Sequence, residues 1–323
     1  MCTAAVYKTK DRYFGRNLDA DRSYGEKVTI TPRRRVFEFR CEGTLKSHYA
    51  MIGAALVDNG YPLYFDAVNE KGLCMAGLRF PGNAHYFGRC EGKYNVSPFE
   101  LIPWVLGGCA DVGEAERLLE KTNLVNIDYS DELPLAPLHW IISGNDGTIV
   151  IESVKSGLMI YDDPVGVLTN NPEFGFHMQN LCNYMNLTSG MPVNRFSGRL
   201  RLEPYCADMG AIGLPGDFSS ASRFVRTAFV KCNSVCGTSE EESVSQFFHI
   251  LGSAEQPRGC SRTEGGWETT FYSSCCNADK GIYYYKTYRC GAVRGIDMNR
   301  EELDGENLVT YPMYSGCELE ILN

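Results

Sequence analysis

The chain opens MCTAAVYKTKDRYFGRNLDAD over residues 1–21, and the reading of this stretch decides the fold. Thr3–Lys8 and Tyr13–Arg16 carry the alternation and β-branched or aromatic content of strands. Lys10–Arg12 between them reads as a hairpin turn. In a hairpin that turns near Asp11, residues 14–19 lie beside residues 2–7, so Arg16 and Asp19 arrive next to Cys2. Cys2 directly follows the initiator Met, and aminopeptidases remove Met when the next side chain is small. The mature chain then begins with a residue that holds a thiol and a free α-amine on one backbone unit. That amine has a pKa of about 7.7–8.0, so near neutral pH it can take the thiol proton directly or through a water. A nucleophile activated by an N-terminal amine is a known form of covalent catalysis. Arg16 can lower the thiol pKa through its charge, and Asp19 can accept a hydrogen bond from the amine.

Each of these features has a plainer explanation when taken singly. A cysteine at position 2 is usually incidental, and Arg16 with Asp19 is an ordinary surface charge pair. What favours the functional reading is their coincidence and the lack of another base. The five histidines are His48, His85, His139, His177 and His249, and none sits in an obvious base role. His139, in the apolar run PLHWIIS, reads as a satisfied core histidine.

Away from the hairpin, strand patterns continue at Lys27–Pro32, Tyr49–Val57 and Gly72–Leu78. Two helices follow. The box Ser97-Pro98-Phe99-Glu100 opens one through about Leu106, and Asp111-x-x-Glu114 opens another through about Lys121. Strands return at 138–143, 148–154, 158–161 and 166–169, then helices at 220–232 and 239–252, the latter behind the box Thr238-x-x-Glu241. Strands at 268–273, 281–288 and 292–297 close the pattern. Strands grouped with strands and helices with helices indicate an α+β layered domain of mainly antiparallel sheets. With no linker or repeat, residues 1–323 are expected to form one domain.

Composition limits the function. A net charge of −9 argues against nucleic acid or an anionic membrane as partner. An anionic substrate must then be met by a local group of arginines. The apolar runs near Ala50–Val57 and Leu101–Ala110 are too short to span a bilayer, and Met1–Arg12 lacks the apolar core of a secretory signal. A cytoplasmic protein without membrane insertion is expected. The chain has 14 cysteines but no C-x-x-C pair, so no metal site is expected and most thiols read as small hydrophobes. No G-x-G-x-x-G or P-loop is present, and no cofactor is expected.

The segments FGRNLD at 14–19, NEKGL at 69–73, AGLRFPGNA at 76–84, GVLTNNPEF at 166–174, GLPGDFSSASRFVRTAF at 213–229 and KGIYYYKTY at 280–288, together with the opening MCT, resemble the choloylglycine hydrolase family of N-terminal-nucleophile hydrolases. The family includes bile salt hydrolases and penicillin V acylases, and the likeness is closer to the bile salt hydrolases of Gram-positive gut bacteria. The resemblance implies a four-layer αββα sandwich, a homotetramer, and hydrolysis of the amide of glycine- or taurine-conjugated bile salts. It implies Cys2 as nucleophile and base, with Arg16 and Asp19 as its polar neighbours. It implies that Asn170 offers its side-chain NH2 to the oxyanion and that Arg223 completes the charge network. Leu18, Val57, Tyr129 and Leu133 fall in segments that line the family's pocket. Arg79 departs from the pattern. Bile salt hydrolases usually carry Asn at this position and penicillin V acylases an aromatic, and the backbone N–H here is the expected second oxyanion donor. The extra cation would favour an anionic leaving group. Action on penicillin V or N-acyl homoserine lactones stays open, as does a non-catalytic bile-acid-binding role.

Overall fold

The computed structural model describes residues 1–317 and 319–323. The expected hairpin is present as β1 (Cys2–Lys8) and β2 (Arg12–Ala20), with Cys2 opposite Leu18 and Ala4 opposite Arg16. All nine residues of β2 and the first six of β1 are buried. Both faces of the hairpin are therefore covered, and the polar side chains it carries, Thr3, Arg12, Arg16, Asn17 and Asp19, are buried with the apolar ones.

Two antiparallel sheets account for that double burial. The first has six strands in the order Val167–Leu168, β1, β2, Thr269–Asn277, Ile282–Thr287 and Cys290–Asp297. The second has eight, in the order Gly157–Asp162, Gly147–Val154, Leu138–Gly144, Cys74–Arg79, Tyr61–Asn69, Met51–Asp58, Lys27–Thr31 and Val309–Pro312. The sheets share one core: Cys2, Ala4, Val6 and Phe14 from the first meet Ile52, Val68, Ala76 and Ile141 from the second. The outer face of the first sheet, through Ala5, Tyr7 and Tyr13, packs on Phe247 and Leu251. Those two belong to α5 (Glu240–Gly252), which runs beside α4 (Ser220–Asn233). The outer face of the second sheet, through Met51, Met75 and Trp140, packs on α1 (Leu101–Gly108) and α2 (Val112–Leu119). The result is the four-layer αββα sandwich, with three apolar interfaces whose residues alternate along each strand.

Local signals worked where they satisfied helix ends. Ser97 and Glu100 form the capping box, and Asp111 accepts from the Glu114 N–H at 2.7 Å. The cap of α5 is Ser239, one residue later than the Thr238 box suggests, and it accepts from the Glu242 N–H. Several elements escaped the pattern, the edge strand Val309–Pro312 among them. Helix α3 (Phe174–Leu181) follows Asn-Asn-Pro, which reads as a turn alone. Strand Tyr61–Asn69 contains Pro62 and a charged Asp66, which break a strand signal. Pro62 is tolerated because it pairs with Val57 near one strand end, beyond the residues that pair with the strand on the other side.

A Cβ on Gly15 would lie 2.0 Å from the Ser274 carbonyl oxygen, so only glycine lets the two strands close up beside Arg16. No helix among the described residues is long and apolar enough to cross a membrane.

Candidate active site

Cys2 is the first residue of β1 and only 2% exposed. Its backbone is held at both ends. The Cys2 N–H donates to Asn170 Oδ1 at 2.8 Å, and the Cys2 carbonyl accepts from Arg223 Nη1 at 2.5 Å. The same guanidinium donates from Nη1 to Thr3 Oγ1 at 2.6 Å, from Nη2 to Asn170 Oδ1 at 2.7 Å, and from Nε to the Phe218 carbonyl at 3.1 Å. Burial pulls the Arg223 pKa down, and Asp19 and Cys2 oppose that pull.

Strand alternation divides the charged groups between the two faces of the first sheet. Cys2, Arg16 and Leu18 point into the core between the sheets, whereas Thr3, Asn17 and Asp19 point toward the α4–α5 layer. Arg16 reaches across the core and donates from Nη1 to the carbonyls of Phe65 at 2.9 Å and Gly77 at 2.5 Å. Burial opposes its charge, but nearby Cys2, Tyr272, Asp66 and Asp19 outweigh burial and raise its pKa. Asp66 was not visible as a site residue in the sequence. It accepts from the hydroxyls of Tyr272 and Tyr283, each at 2.6 Å, and from Ser274 Oγ at 3.1 Å. Burial raises the Asp66 pKa against Arg16 and these donors.

Asp19 accepts from Thr270 Oγ1 at 2.6 Å through Oδ1, while its buried Oδ2 has no hydrogen-bond partner among the described residues. Burial raises its pKa, with Arg223 and the chain's ammonium pulling the other way. Met1 extends the β1–β2 ladder one step past Cys2. Its carbonyl accepts from the Asp19 N–H, and its ammonium donates to the Asp19 carbonyl, each at 3.1 Å. The ammonium also pairs with the carboxylate of buried Glu268, a partner that no sequence signal indicated. With Met1 present, the Asp19 carboxylate does not receive the ammonium; the Asp19 backbone does.

Met1 borders a cavity of about 560 Å³ whose walls include Asp21, Arg79, Asn170, Arg262 and Glu268. Arg79 ends the strand Cys74–Arg79 with its side chain exposed, and no carboxylate among the described residues lies within ion-pair distance of it. Asn170 uses its amide in both directions. Oδ1 takes the Cys2 and Arg223 hydrogen bonds, and Nδ2 donates to the Arg79 carbonyl at 2.7 Å. An amide NH2 has two donors, and among the described residues the Arg79 carbonyl accepts one of them.

The other expected pocket residues stand apart from this cavity. Leu18 is buried directly across the ladder from Cys2. Val57 is the next-to-last residue of the strand Met51–Asp58, and Tyr129 donates its hydroxyl to the Asp58 carbonyl at 3.0 Å. The Leu133 N–H donates to Ser130 Oγ at 3.2 Å. None of these four lines the cavity beside Met1 and Arg79.

Two histidines sit behind the Asn170 turn. His139 Nε2 donates to the Thr169 carbonyl at 3.0 Å, and its Nδ1 is hydrogen-bonded with Glu152 Oε1 at 3.1 Å. His139 is thus a satisfied core histidine, as its sequence setting suggests. His177 Nε2 donates to the Asn170 carbonyl at 2.8 Å. Burial lowers the His177 pKa to about 4.

An αββα sandwich that opens one strand of its inner sheets on a buried cysteine next to the chain start defines an N-terminal-nucleophile hydrolase fold. The chain belongs to the choloylglycine hydrolase family of linear amide C–N hydrolases, whose profile matches residues 2–311. It is 52% identical to the bile salt hydrolase/transferase of Lactiplantibacillus plantarum, over 100% of both chains. It is 38% identical to the bile salt hydrolase/transferase of Clostridium perfringens, over 96% of both. A solved variant of the conjugated bile acid hydrolase from Clostridium perfringens superposes with a TM-score of 0.91 at 35% identity, covering 100% of both chains. Penicillin V acylase from Agrobacterium tumefaciens shares the fold, with a TM-score of 0.75 at 22% identity over 98% of this chain and 95% of its own.

The depressed His177 pKa ties stability to pH. In the unfolded chain His177 takes up its proton near pH 6.5, in the folded chain only near pH 4. Protonation therefore favours unfolding as the pH falls through that window, and stability is regained as the pH rises. Urea denaturation at pH 7 and pH 4.5 is expected to show His177→Phe losing about 2.5 kcal/mol less than the parent. Equal losses in the two proteins would contradict this.

Proposed function

We propose that this chain hydrolyses the amide bond of glycine- or taurine-conjugated bile salts, with Cys2 as nucleophile once Met1 is removed. The observation that carries the reading is the grip on Cys2. Its backbone N–H and carbonyl are tied to Asn170 and Arg223 at the start of a buried strand, where the cavity wall begins. The names and full-length similarity of the relatives favour conjugated bile salts as substrate.

In the mature protein the nitrogen now in the Met1–Cys2 peptide becomes a free amine. It takes the thiol proton, and the thiolate attacks the amide carbonyl carbon. The C=O electrons move to the oxygen, where the free N–H of the Asn170 amide and the backbone N–H of residue 79 are the donors. As the C–N bond breaks, the α-ammonium hands its proton to the departing glycine or taurine nitrogen, leaving a thioester on Cys2. Water, deprotonated by the same amine, then attacks the thioester and releases the free bile acid and the thiol. Arg16 favours the thiolate by its charge, and Asp19 has an unpaired carboxylate oxygen ready for the new ammonium.

The same reading takes residues 1–323 as one domain that works in the cytoplasm as a homotetramer. An irregular stretch supports self-association: Met185, Val193, Phe196, Tyr205 and Ile212 all expose large apolar side chains. Light scattering on the purified protein is expected to give four chains per particle; a monomer would remove this part of the proposal.

Intact mass should show the mature chain starting at Cys2. That protein should release product from glycocholate and taurocholate faster than from penicillin V, and Cys2→Ala should be inactive. Retention of Met1 in an active enzyme would rule out the amine mechanism. Bile acid binding without turnover would point to a carrier, and preference for penicillin V to an acylase. Arg79→Asn is expected to lower kcat/KM for both conjugates by about fivefold, the scale of one exposed ion pair; unchanged values would remove Arg79 from substrate recognition.

A further inference from the structure

The turn Thr169–Pro172 carries Asn170, and its two leading carbonyls end on two buried imidazoles. His139 holds the Thr169 carbonyl at 3.0 Å and His177 the Asn170 carbonyl at 2.8 Å. A carbonyl oxygen only accepts, so both Nε2 atoms carry hydrogen. His139 is anchored from behind by Glu152 Oε1, which also accepts from the Phe174 N–H at 2.9 Å, the first residue of α3. Glu152 thereby ties the ring to the segment just beyond the turn.

The ring planes are fixed as well. His139 stacks on Phe80 at 4.3 Å and 7°, and His177 stacks on Phe224 at 4.8 Å and 17°. Each phenylalanine directly follows a residue that binds the Asn170 side chain. Phe80 follows Arg79, whose carbonyl takes Asn170 Nδ2, and Phe224 follows Arg223, whose Nη2 donates to Asn170 Oδ1. Each histidine therefore connects the backbone of the turn to one of the two segments that fix the Asn170 amide.

We propose that His139 and His177 are positioning residues, which hold the Asn170 backbone in register with Arg79 and Arg223 so that its side-chain amide meets the oxyanion. This rests on the reading of Asn170 as an oxyanion donor. Neither histidine touches the cavity, so neither is expected to act on substrate binding. Their effect belongs in the transition state, where misplacement of a donor by about 1 Å can cost on the order of 100-fold. The buried Nδ1 of His177, which lacks a hydrogen-bond partner among the described residues, fits a ring retained for what its other nitrogen holds.

The test uses the mature protein with glycocholate, with rates referred to the fraction of Cys2 that iodoacetamide alkylates, read on the N-terminal peptide by mass spectrometry because other free cysteines are exposed. His177→Phe keeps an aromatic ring against Phe224 and removes the donor; His177→Gln restores an N–H near the same place. The expected result is a kcat for His177→Phe lower by about 100-fold with KM within about threefold, and recovery of about tenfold or more in His177→Gln. A kcat within about threefold of the parent, or a loss that His177→Gln does not recover, overturns the proposal. If His177→Phe has no titratable Cys2, His139→Phe, which removes the Thr169 contact and keeps a ring on Phe80, is read by the same kcat criterion. A parent inactive on every conjugate overturns the functional reading and this one together; an active parent with an equally active His177→Phe overturns this one alone.

Discussion

The buried guanidinium of Arg223 is the contact on which the site depends. It lies on α4, at no measurable exposure, and bridges the start of β1, the Thr169–Asn170 turn and the Phe218 carbonyl before the helix. Removing such a charge from water costs several kcal/mol, and it stays stable only when its donors are satisfied and counter-charges are near. Here four acceptors and the Asp19 carboxylate serve that need. Losing any one partner leaves a buried charge short of a bond, so the residues of the site fix one another. Helix, strand and turn are locked together at the point where Cys2 begins the chain's first strand.

Strand alternation gives this locked centre two sides. The thiol and Arg16 share the inner face with the second sheet, while Asp19 and Arg223 share the outer face with α4. The backbone nitrogen of Cys2 sits at the strand end, where the two sides meet. A nucleophile that supplies its own base from its own backbone suits this position, since the sheet brings one kind of charge to the thiol and another to the amine.

Much of the architecture could be read from local chemistry. The hairpin at residues 2–20 follows from alternation around a polar turn, and α1 and α2 from the cap residues that open them. Tyr61–Asn69 was hidden because Pro62 and Asp66 look unsuited to a strand. Pro62 near one end and three hydroxyl donors around Asp66 resolve both conflicts, yet Tyr272, Ser274 and Tyr283 lie over 200 residues away. Helix α3 was hidden because Asn-Asn-Pro satisfies a turn equally well. Glu268 was hidden because its partner is the chain's own ammonium.

What the sequence determined by itself was therefore the chemistry and the periodicity. Cys2 directly follows Met1, Arg16 lies two strand positions from it and Asp19 one by the geometry of one hairpin, and the apolar pattern demands stacked layers. The tertiary structure alone decided how Asn170 is used. The resemblance points to its NH2, but the fold commits Oδ1 to Cys2 and Arg223 and one N–H to Arg79. It also decided that Leu18, Val57, Tyr129 and Leu133 stand outside the cavity at Arg79. The physical reason is range. Hairpin register and helix caps are set by neighbours a few residues away, whereas a hydrogen-bond network closes only when sheet packing brings distant segments within about 3 Å.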